Sequence, residues 1–461
     1  MPRFLEADSL ACYVIAVYIK TLTAQNFRCF TDLTIDFQPG VNLLIGDNMS
    51  GKTAVLDALR ICLNGYVNTF FESKIDIEKL DARLVPVPMG DAVEMVSQSP
   101  ASVLATVEFE QKFLDLCKSI FPVMSHDESV RTWGQTLAST KEGTVLTKKG
   151  GLGGIGVLAQ SAISNTELML PIFSFHSTNR NTQPIPSAKN EQIEQSALAN
   201  RGRGYLKSLS HYSILQTIHS WIERRTMSEM QRKGRGLPLL AEGPLLGIER
   251  AVCTCLPEVK QFYFDFDYQQ LAIVFADGRR LPVSMLSDGM LCVLSLALEL
   301  AWRAVVLNPH LGAKAPELAT GIVMIDELDL ALHPTWQRRI VADLSRAFPS
   351  LQFIATTHSP QIIGSAKNAL VQKIDGDKVQ AVARPFGLDS NTQLTEVMGA
   401  QERDPQIVAL FEEVNGLMND KRWDEARAAL ARVTDQIDSL DTEVVSLRAR
   451  IDFLSRAAKR S

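Results

Sequence analysis

The chain contains no C-x-x-C pair, and its seven cysteines are scattered over 461 residues. An odd number without paired spacing encodes neither a disulfide framework nor a cysteine-based zinc site, and a reducing cytoplasm is the expected compartment. A large excess of one charge sign is lacking too. The net charge is -5 and the pI about 5.9, which excludes a protein that coats nucleic acid by bulk charge but leaves room for a local basic groove. Leu10 to Ile19 is apolar but too short to span a bilayer, and it follows Glu6 and Asp8 rather than a basic stretch, so no membrane partner is expected. Sustained heptads are missing as well: between residues 112 and 260 Pro and Gly come too often for a coiled coil. What remains, 46% hydrophobic and 21% charged, suits two or three globular domains.

Against that background one stretch organises the rest. Gly46, Asp47, Asn48, Met49, Ser50, Gly51, Lys52 and Thr53 match the phosphate-loop pattern G-x-x-x-x-G-K-[ST]. Gly40 to Ile45 reads as a short buried strand before it, and Ala54 to Leu63 as a helix with apolar residues at helical spacing after it. In that order, backbone N–H groups and a helix N-terminus converge on one phosphate chain. Residues Gly46 through Ala54 are therefore the expected nucleotide contact, with Lys52 reaching the β- and γ-phosphates and Thr53 holding Mg2+.

Three later segments supply matching chemistry. Leu286-Ser287-Asp288-Gly289-Met290 opens a long apolar helix pattern from Leu291 to Val306; the Ser287 hydroxyl, the N–H groups near Gly289 and the helix dipole would all face one anion. Gly321 to Ile325 is an apolar run that ends in Asp326 and Glu327, as a buried parallel strand would at the edge where α/β sheets bind ligands. Asp326 is the expected magnesium residue through water, and Glu327 the base that orients the attacking water. Leu351 to Thr357 reads as a third buried strand, ending at His358, a candidate γ-phosphate contact.

Elsewhere Tyr18–Phe27, Leu33–Phe37, Ser102–Phe109, Phe262–Phe266 and Leu271–Phe275 read as strands, and Ile75–Arg83 as polar and helix-competent. Gly151 to Gly156 formally matches G-x-G-x-x-G, but no acidic residue lies about 20 positions on, so it is expected to be a flexible loop. Arg224, Arg225, Arg232, Lys233 and Arg235 offer a contact for a nucleic-acid backbone, but in an acidic protein a solvated helix end is the favoured expectation. Asp375-Gly376-Asp377 reads as a hairpin turn, and residues 1–17 as an accessory extension.

Taken in order, these pieces resemble the ABC-type ATPases of the SMC and RecF group. The resemblance implies an α/β fold: an ABC-type ATPase head, with a mixed N-terminal β region and a parallel P-loop core sheet, a helical insertion and a C-terminal helical tail. The implied domains are an N-terminal extension at 1–17, an N-terminal lobe with Walker A at 18–110, an insertion or lid region at 111–260, a C-terminal lobe at 261–400 and a helical tail at 401–461. In the family, Leu286–Met290 is the signature, Ile322–Glu327 Walker B, Leu328–His333 the D-loop and His358 the switch histidine. ATP and Mg2+ are the implied ligands, with Lys52, Glu327 and His358 as catalytic residues. The signature of one head faces the phosphate loop of another, which implies a homodimer or higher oligomer with Ser287 and Gly289 acting in trans. Three departures stand out: Met49 where the family usually has Gly, Ser-Asp-Gly-Met where it has Ser-Gly-Gly-Gln, and no clear Q-loop glutamine, Asp76 being a weak stand-in.

Within the group, Leu170–Arg180, Arg203-Gly204-Tyr205 before Trp221, and Phe386–Asn391 leading to Met398-Gly399 are similar to the PtuA-like ATPases of Septu and retron antiphage systems, Arg203–Tyr205 in the place of a lid segment. That resemblance implies a partner HNH nuclease (PtuB-like) and, in retron systems, a reverse transcriptase with its RNA and DNA; nuclease activity is not expected in this chain. Three apolar stripes in the tail, through Ile407–Met418, Trp423–Val433 and Val444–Leu454, suggest helices that dock a protein or fold on their own head. The alternatives are a RecF-like repair ATPase and an OLD-type ATPase-nuclease. The latter is disfavoured because Asp375 and Asp377 are the only candidate Toprim pair and the tail is too helical to complete that sheet.

Overall fold

The computed structural model describes residues 17–71, 73, 75–89, 92–109, 131–140, 143–149, 152–161, 163, 169–178, 201–237, 243–399 and 403–458. The expected extension lies outside these residues except for Val17, as do 110–130 of the insertion, Gly151, and Asn179 and Arg180. Two compact units divide the chain, Met1–Leu388 and Asp389–Ser461.

The first unit is built on two large sheets. Strands β1 (Val17–Phe27) and β2 (Phe30–Asp36) form an antiparallel pair that continues through β6 (Ala101–Phe109), β7 (Thr132–Thr140) and β8 (Gly143–Lys149) in the order β2-β1-β6-β7-β8. Between β2 and β6 in sequence lie β3 (Val41–Ile45) and a separate hairpin, β4 (Leu84–Met89) with β5 (Ala92–Ser97). In β1 Ile19, Leu22, Ala24 and Phe27 are buried, simple alternation being broken where the register against β6 shifts between Ile19 and Thr21 and at Asn26, whose φ is +46°.

The second sheet has the order β16-β15-β3-β14-β13-β9, with β9 at Ile172–His176, β13 at Gly321–Ile325, β14 at Leu351–Thr356, β15 at Leu370–Asp375 and β16 at Lys378–Ala381. Its pairings are parallel except the β15–β16 hairpin. Every residue of β9, β13 and β14 is buried, as in parallel strands covered on both faces, although Ser174, His176, Gln352 and Thr356 are polar. Gln352 of β14 ties the sheets together: its side chain accepts from Ile19 N and donates to Ile19 O, each at 2.8 Å. A small sheet of β10 (Val259–Asp265), β11 (Gln270–Phe275) and β12 (Arg280–Pro282) precedes the signature segment.

Helix α1 (Lys52–Val67) follows the phosphate loop and is buried along nearly its whole length. Gly151 to Gly156 departs from expectation: α2 (Leu152–Ser161) is a helix, not a flexible loop. Gly156 lets it approach α1, since a Cβ there would lie 2.6 Å from Thr69 and 3.1 Å from Tyr66 O. Ile75–Arg83 holds only a 3-10 turn at Lys79–Asp81; Asp81 is drawn to Arg28 at 2.9 Å, and Ala82 bridges to Phe27. Arg201–Tyr205, which includes the segment similar to a lid, is a buried 3-10 turn, with the Tyr205 hydroxyl 3.2 Å from that of Tyr66 and 2.8 Å from Pro171 O.

Helix α3 (Leu215–Gly234) buries its first half through Ile218, His219 and Ile222; in its second half and end Arg224, Lys233 and Arg235 are exposed, Arg232 is half-buried, and the half-buried Arg225 pairs with Glu229 at 3.1 Å. After α4 (Pro244–Cys255), α5 (Asp288–Leu307) is long and apolar enough to cross a bilayer, but most of it is buried in the fold. It carries a buried Glu299–Arg303 ion pair at 2.6 Å. Helix α6 (Ile340–Ala347) separates β13 from β14.

In the second unit α7 (Pro405–Asn419), α8 (Trp423–Thr434) and α9 (Thr442–Ala458) pack their apolar stripes on one another. Phe411, Val414, Met418, Ala426, Leu430, Val433, Val444, Leu447 and Ile451 form a core of their own.

Candidate functional site

Three neighbouring parallel strands bring the expected residues to one edge. The phosphate loop leaves the C-terminal end of β3, Thr357 and His358 leave that of β14 beside it, and Asp326 and Glu327 leave that of β13 beyond. The Gly46 φ of +146° and the 2.4 Å that would separate a Cβ there from Ile374 O leave room only for glycine. Gly51 has φ +101°, and a Cβ on it would meet the Phe30 ring at 2.4 Å and Cys29 Sγ at 2.8 Å. Met49, where the family has Gly, takes a left-handed φ of +69° with its side chain 97% exposed. The loop keeps a glycine-type backbone and bears the cost of a side chain on it.

Lys52 Nζ donates to Gly46 O at 2.9 Å and Asp47 O at 2.7 Å, folding over its own loop. Burial pulls its ammonium below the ordinary lysine value, against the opposing pull of Asp326, Asp47, Glu327 and Asp329. No acidic residue stands in the first turn of α1, so nothing there repels an anion at the helix N-terminus. The Ser50 hydroxyl is buried and has no hydrogen-bond partner; such an orphan suits a ligand oxygen.

The carboxylates are held closely. Thr53 Oγ1 donates to Asp326 Oδ2 at 3.1 Å, and Thr356 Oγ1 to Asp326 Oδ1 at 2.7 Å. Glu327 has φ +50°, and its N–H donates to Thr356 Oγ1 at 2.7 Å. Asp329 accepts from Thr357 Oγ1 at 2.6 Å and from His358 N–H at 3.1 Å, which fixes the backbone of the candidate switch histidine.

Ser287 and Gly289 sit at the start of α5. The exposed Ser287 hydroxyl makes no capping bond to its own helix. Gly289 is pressed against the turn after the carboxylates, where a Cβ would lie 2.7 Å from Ala331 O. Among the described residues no hydrogen bond joins Ser287 or Gly289 to residues 46–54.

Asp76 is engaged away from this edge, accepting from Gln135 Nε2 and Lys148 Nζ at 2.7 Å each. Asp377 accepts from Thr31 N–H at 2.7 Å and Asp32 N–H at 3.2 Å, so one member of the candidate Toprim pair is spent joining the β15–β16 turn to β2. Sequence reasoning missed Phe30, which backs the loop, and Thr356 and Asp329, which hold the carboxylate and histidine segments. The paired threonines closing a largely apolar strand were the available signal.

An AAA-domain family matches residues 21–219, and a second, described as AAA domain, putative AbiEii toxin, Type IV TA system, matches residues 208–364. The chain is 24% identical to a retron Ec83 probable ATPase of Escherichia coli over 94% of its own length and 86% of that protein's. It is 45% identical over 93 residues to a Septu protein PtuA of Bacillus mycoides (strain KBAB4), covering 20% of this chain and 12% of that one. Among solved structures, the SMC head domain from Thermotoga maritima aligns with 79% of this chain and 98% of its own, with a TM-score of 0.41 at 14% identity.

Proposed function

We propose that this ATPase, which carries AAA-domain segments and is similar to a retron probable ATPase and in part to a Septu protein PtuA, is the ATP-hydrolysing subunit of an antiphage defence system, restraining a partner HNH nuclease through ATP-dependent pairing of two heads. The catalytic part rests on one observation, the meeting of the phosphate loop, Asp326–Glu327 and His358 at the ends of β3, β13 and β14. The defence part rests on homology along nearly the whole chain.

Lys52 would exchange its two loop carbonyls for the β- and γ-phosphates, and Ser50 would give its unused hydroxyl to a phosphate oxygen. Thr53 and Asp326 present adjacent hard oxygens that would hold Mg2+, which neutralises phosphate charge when bound. Glu327 would take a proton from the attacking water as its oxygen bonds to the γ-phosphorus; the bond to the bridging oxygen breaks, and ADP leaves with that oxygen. His358 would contact the γ-phosphate. The uncapped Ser287 hydroxyl, Gly289 and the N-terminus of α5 would supply the anion site of the opposite head.

Mixing two inactive variants tests the trans arrangement. Lys52→Ala and Ser287→Arg should each be inactive alone, yet a random mixture should recover about a quarter of wild-type turnover, because half the dimers hold one intact site of two. Absence of recovery, with mixed dimers shown to form, rejects sites shared between heads. For the nuclease, Glu327→Gln should trap ATP-bound dimers and keep a co-expressed HNH partner silent until nucleotide is removed. Cutting indifferent to nucleotide rejects the regulatory part.

A further inference from the structure

The strand that leads to His358 carries a polar residue to which the catalytic scheme gives no part. Thr356 is 1% exposed and closes β14 between the loop strand β3 and the carboxylate strand β13. Its hydroxyl donates to Asp326 Oδ1 and accepts from Glu327 N–H, each at 2.7 Å, and its carbonyl accepts from Leu328 N–H at 2.8 Å. Three consecutive residues at the catalytic edge are thus anchored to one.

The chemistry leaves little choice of side chain. A backbone amide can only donate, so the hydroxyl accepts from Glu327 and its single proton is left for the carboxylate. Valine has the same shape but can do neither. Glu327 needs the anchor, because its φ of +50° lies in the left-handed region that a β-substituted residue adopts only when its surroundings hold it there. The bonds from Glu327 N–H and Leu328 N–H to Thr356 bracket that strained residue.

We propose that Thr356 is a positioning residue for both carboxylates: it sets the Asp326 rotamer shared with Thr53, and it holds Glu327 in the backbone conformation that aims its side chain at the attacking water. This rests on the ATPase reading, and the controls separate the two. Among the described residues no hydrogen bond joins Thr356 to Lys52 or to residues 46–51, so metal-free nucleotide binding and turnover respond differently.

The test uses the full chain with Thr356→Val and Thr356→Ser. Val is expected to lower kcat by about 10- to 100-fold, the range for outer partners of metal-binding carboxylates, with the KM for Mg-ATP raised by no more than the roughly tenfold loss of Mg2+-dependent binding. Ser keeps the hydroxyl and should restore most of the rate. A second readout needs no turnover: binding of a non-hydrolysable fluorescent ATP analogue. In EDTA, Val and wild type should bind alike; with Mg2+, the gain seen in wild type should shrink about tenfold in Val, again by the outer-partner range. Equal kcat for Val and wild type overturns the proposal, as does a Ser variant as slow as Val, which would make the role one of packing. If Val does not fold, Thr356→Cys, with similar volume and a weak donor, should fall between Ser and Val; full activity for Cys also overturns it. A wild-type chain that hydrolyses no ATP fails the ATPase reading itself and takes this inference with it.

Discussion

Replacing Gly51 by Ala should damage the phosphate loop through two separable terms. Its φ of +101° is one that alanine resists, at a cost on the order of 1–3 kcal/mol. The added Cβ would also stand 2.4 Å from Phe30 Cζ and 2.7 Å from Cε1. Phe30 is fully buried, so the ring has nowhere to retreat, and overpacking adds about 1–3 kcal/mol. Together that is roughly 2–6 kcal/mol, a large share of the roughly 5–15 kcal/mol that holds a typical domain folded.

Phe30→Leu distinguishes the two terms. Leucine lacks the atoms that clash and should by itself cost about 1–2 kcal/mol, less than the roughly 3–5 kcal/mol of truncation to Ala. In the double variant the steric term should vanish while the backbone term stays, giving a favourable coupling of about 1–3 kcal/mol. Urea unfolding of the wild type, both single variants and the double variant measures that coupling, and titration with a fluorescent ATP analogue reports on the loop. Additivity within about 0.5 kcal/mol, or a Gly51→Ala variant as stable as wild type, would refute the claim that β2 buttresses the loop.

Met49 offers the converse case. With φ +69° and a side chain in solvent, Met49→Gly should leave stability unchanged or raise it by up to about 1 kcal/mol, whereas Met49→Val should lower it by about 1 kcal/mol; urea midpoints in which Val exceeds Gly would contradict this. Asp329→Ala removes the acceptor for Thr357 Oγ1 and His358 N–H and should cost about 1.5–3 kcal/mol, slowing hydrolysis more than analogue binding; equal losses in both assays argue against a catalytic consequence. Burial and then the Arg60 cation hold His211 below 6.5, and burial does the same to His219 against the opposing pull of Glu223. The folded state therefore binds fewer protons than the unfolded one, and the stability present above 6.5 is lost as pH falls through that value toward the folded pKa values. The urea midpoint should drop between about pH 7 and 5.5 in the wild type and drop less in His211→Gln/His219→Gln; parallel declines would exclude these histidines as the cause.

Local pattern was enough wherever one segment carries its own chemistry. The glycine spacing at Gly46 and Gly51, the apolar run ending in Asp326 and Glu327, and the strand ending at His358 were all legible because strand, turn and helix signals there agree with one another. The reading failed where long-range contacts outvote local preference. Residues 152–161 are glycine-rich yet helical because Gly156 fits against α1, and Ile75–Arg83 lost its helix to the pull of Arg28 on Asp81 and of Phe27 on Ala82.

The sequence by itself determined the parts of the nucleotide site and their order along the chain, because backbone hydrogen bonding and burial dictate a phosphate loop and a buried strand over distances of a few residues. Only the tertiary structure decided what holds those parts in place. Phe30 behind Gly51, Thr356 between Asp326 and Glu327, and Asp329 beneath His358 lie 21, 30 and 29 positions from the residues they support. Such pairings exist only once strands remote from one another along the chain are assembled around the loop, and no local periodicity encodes them.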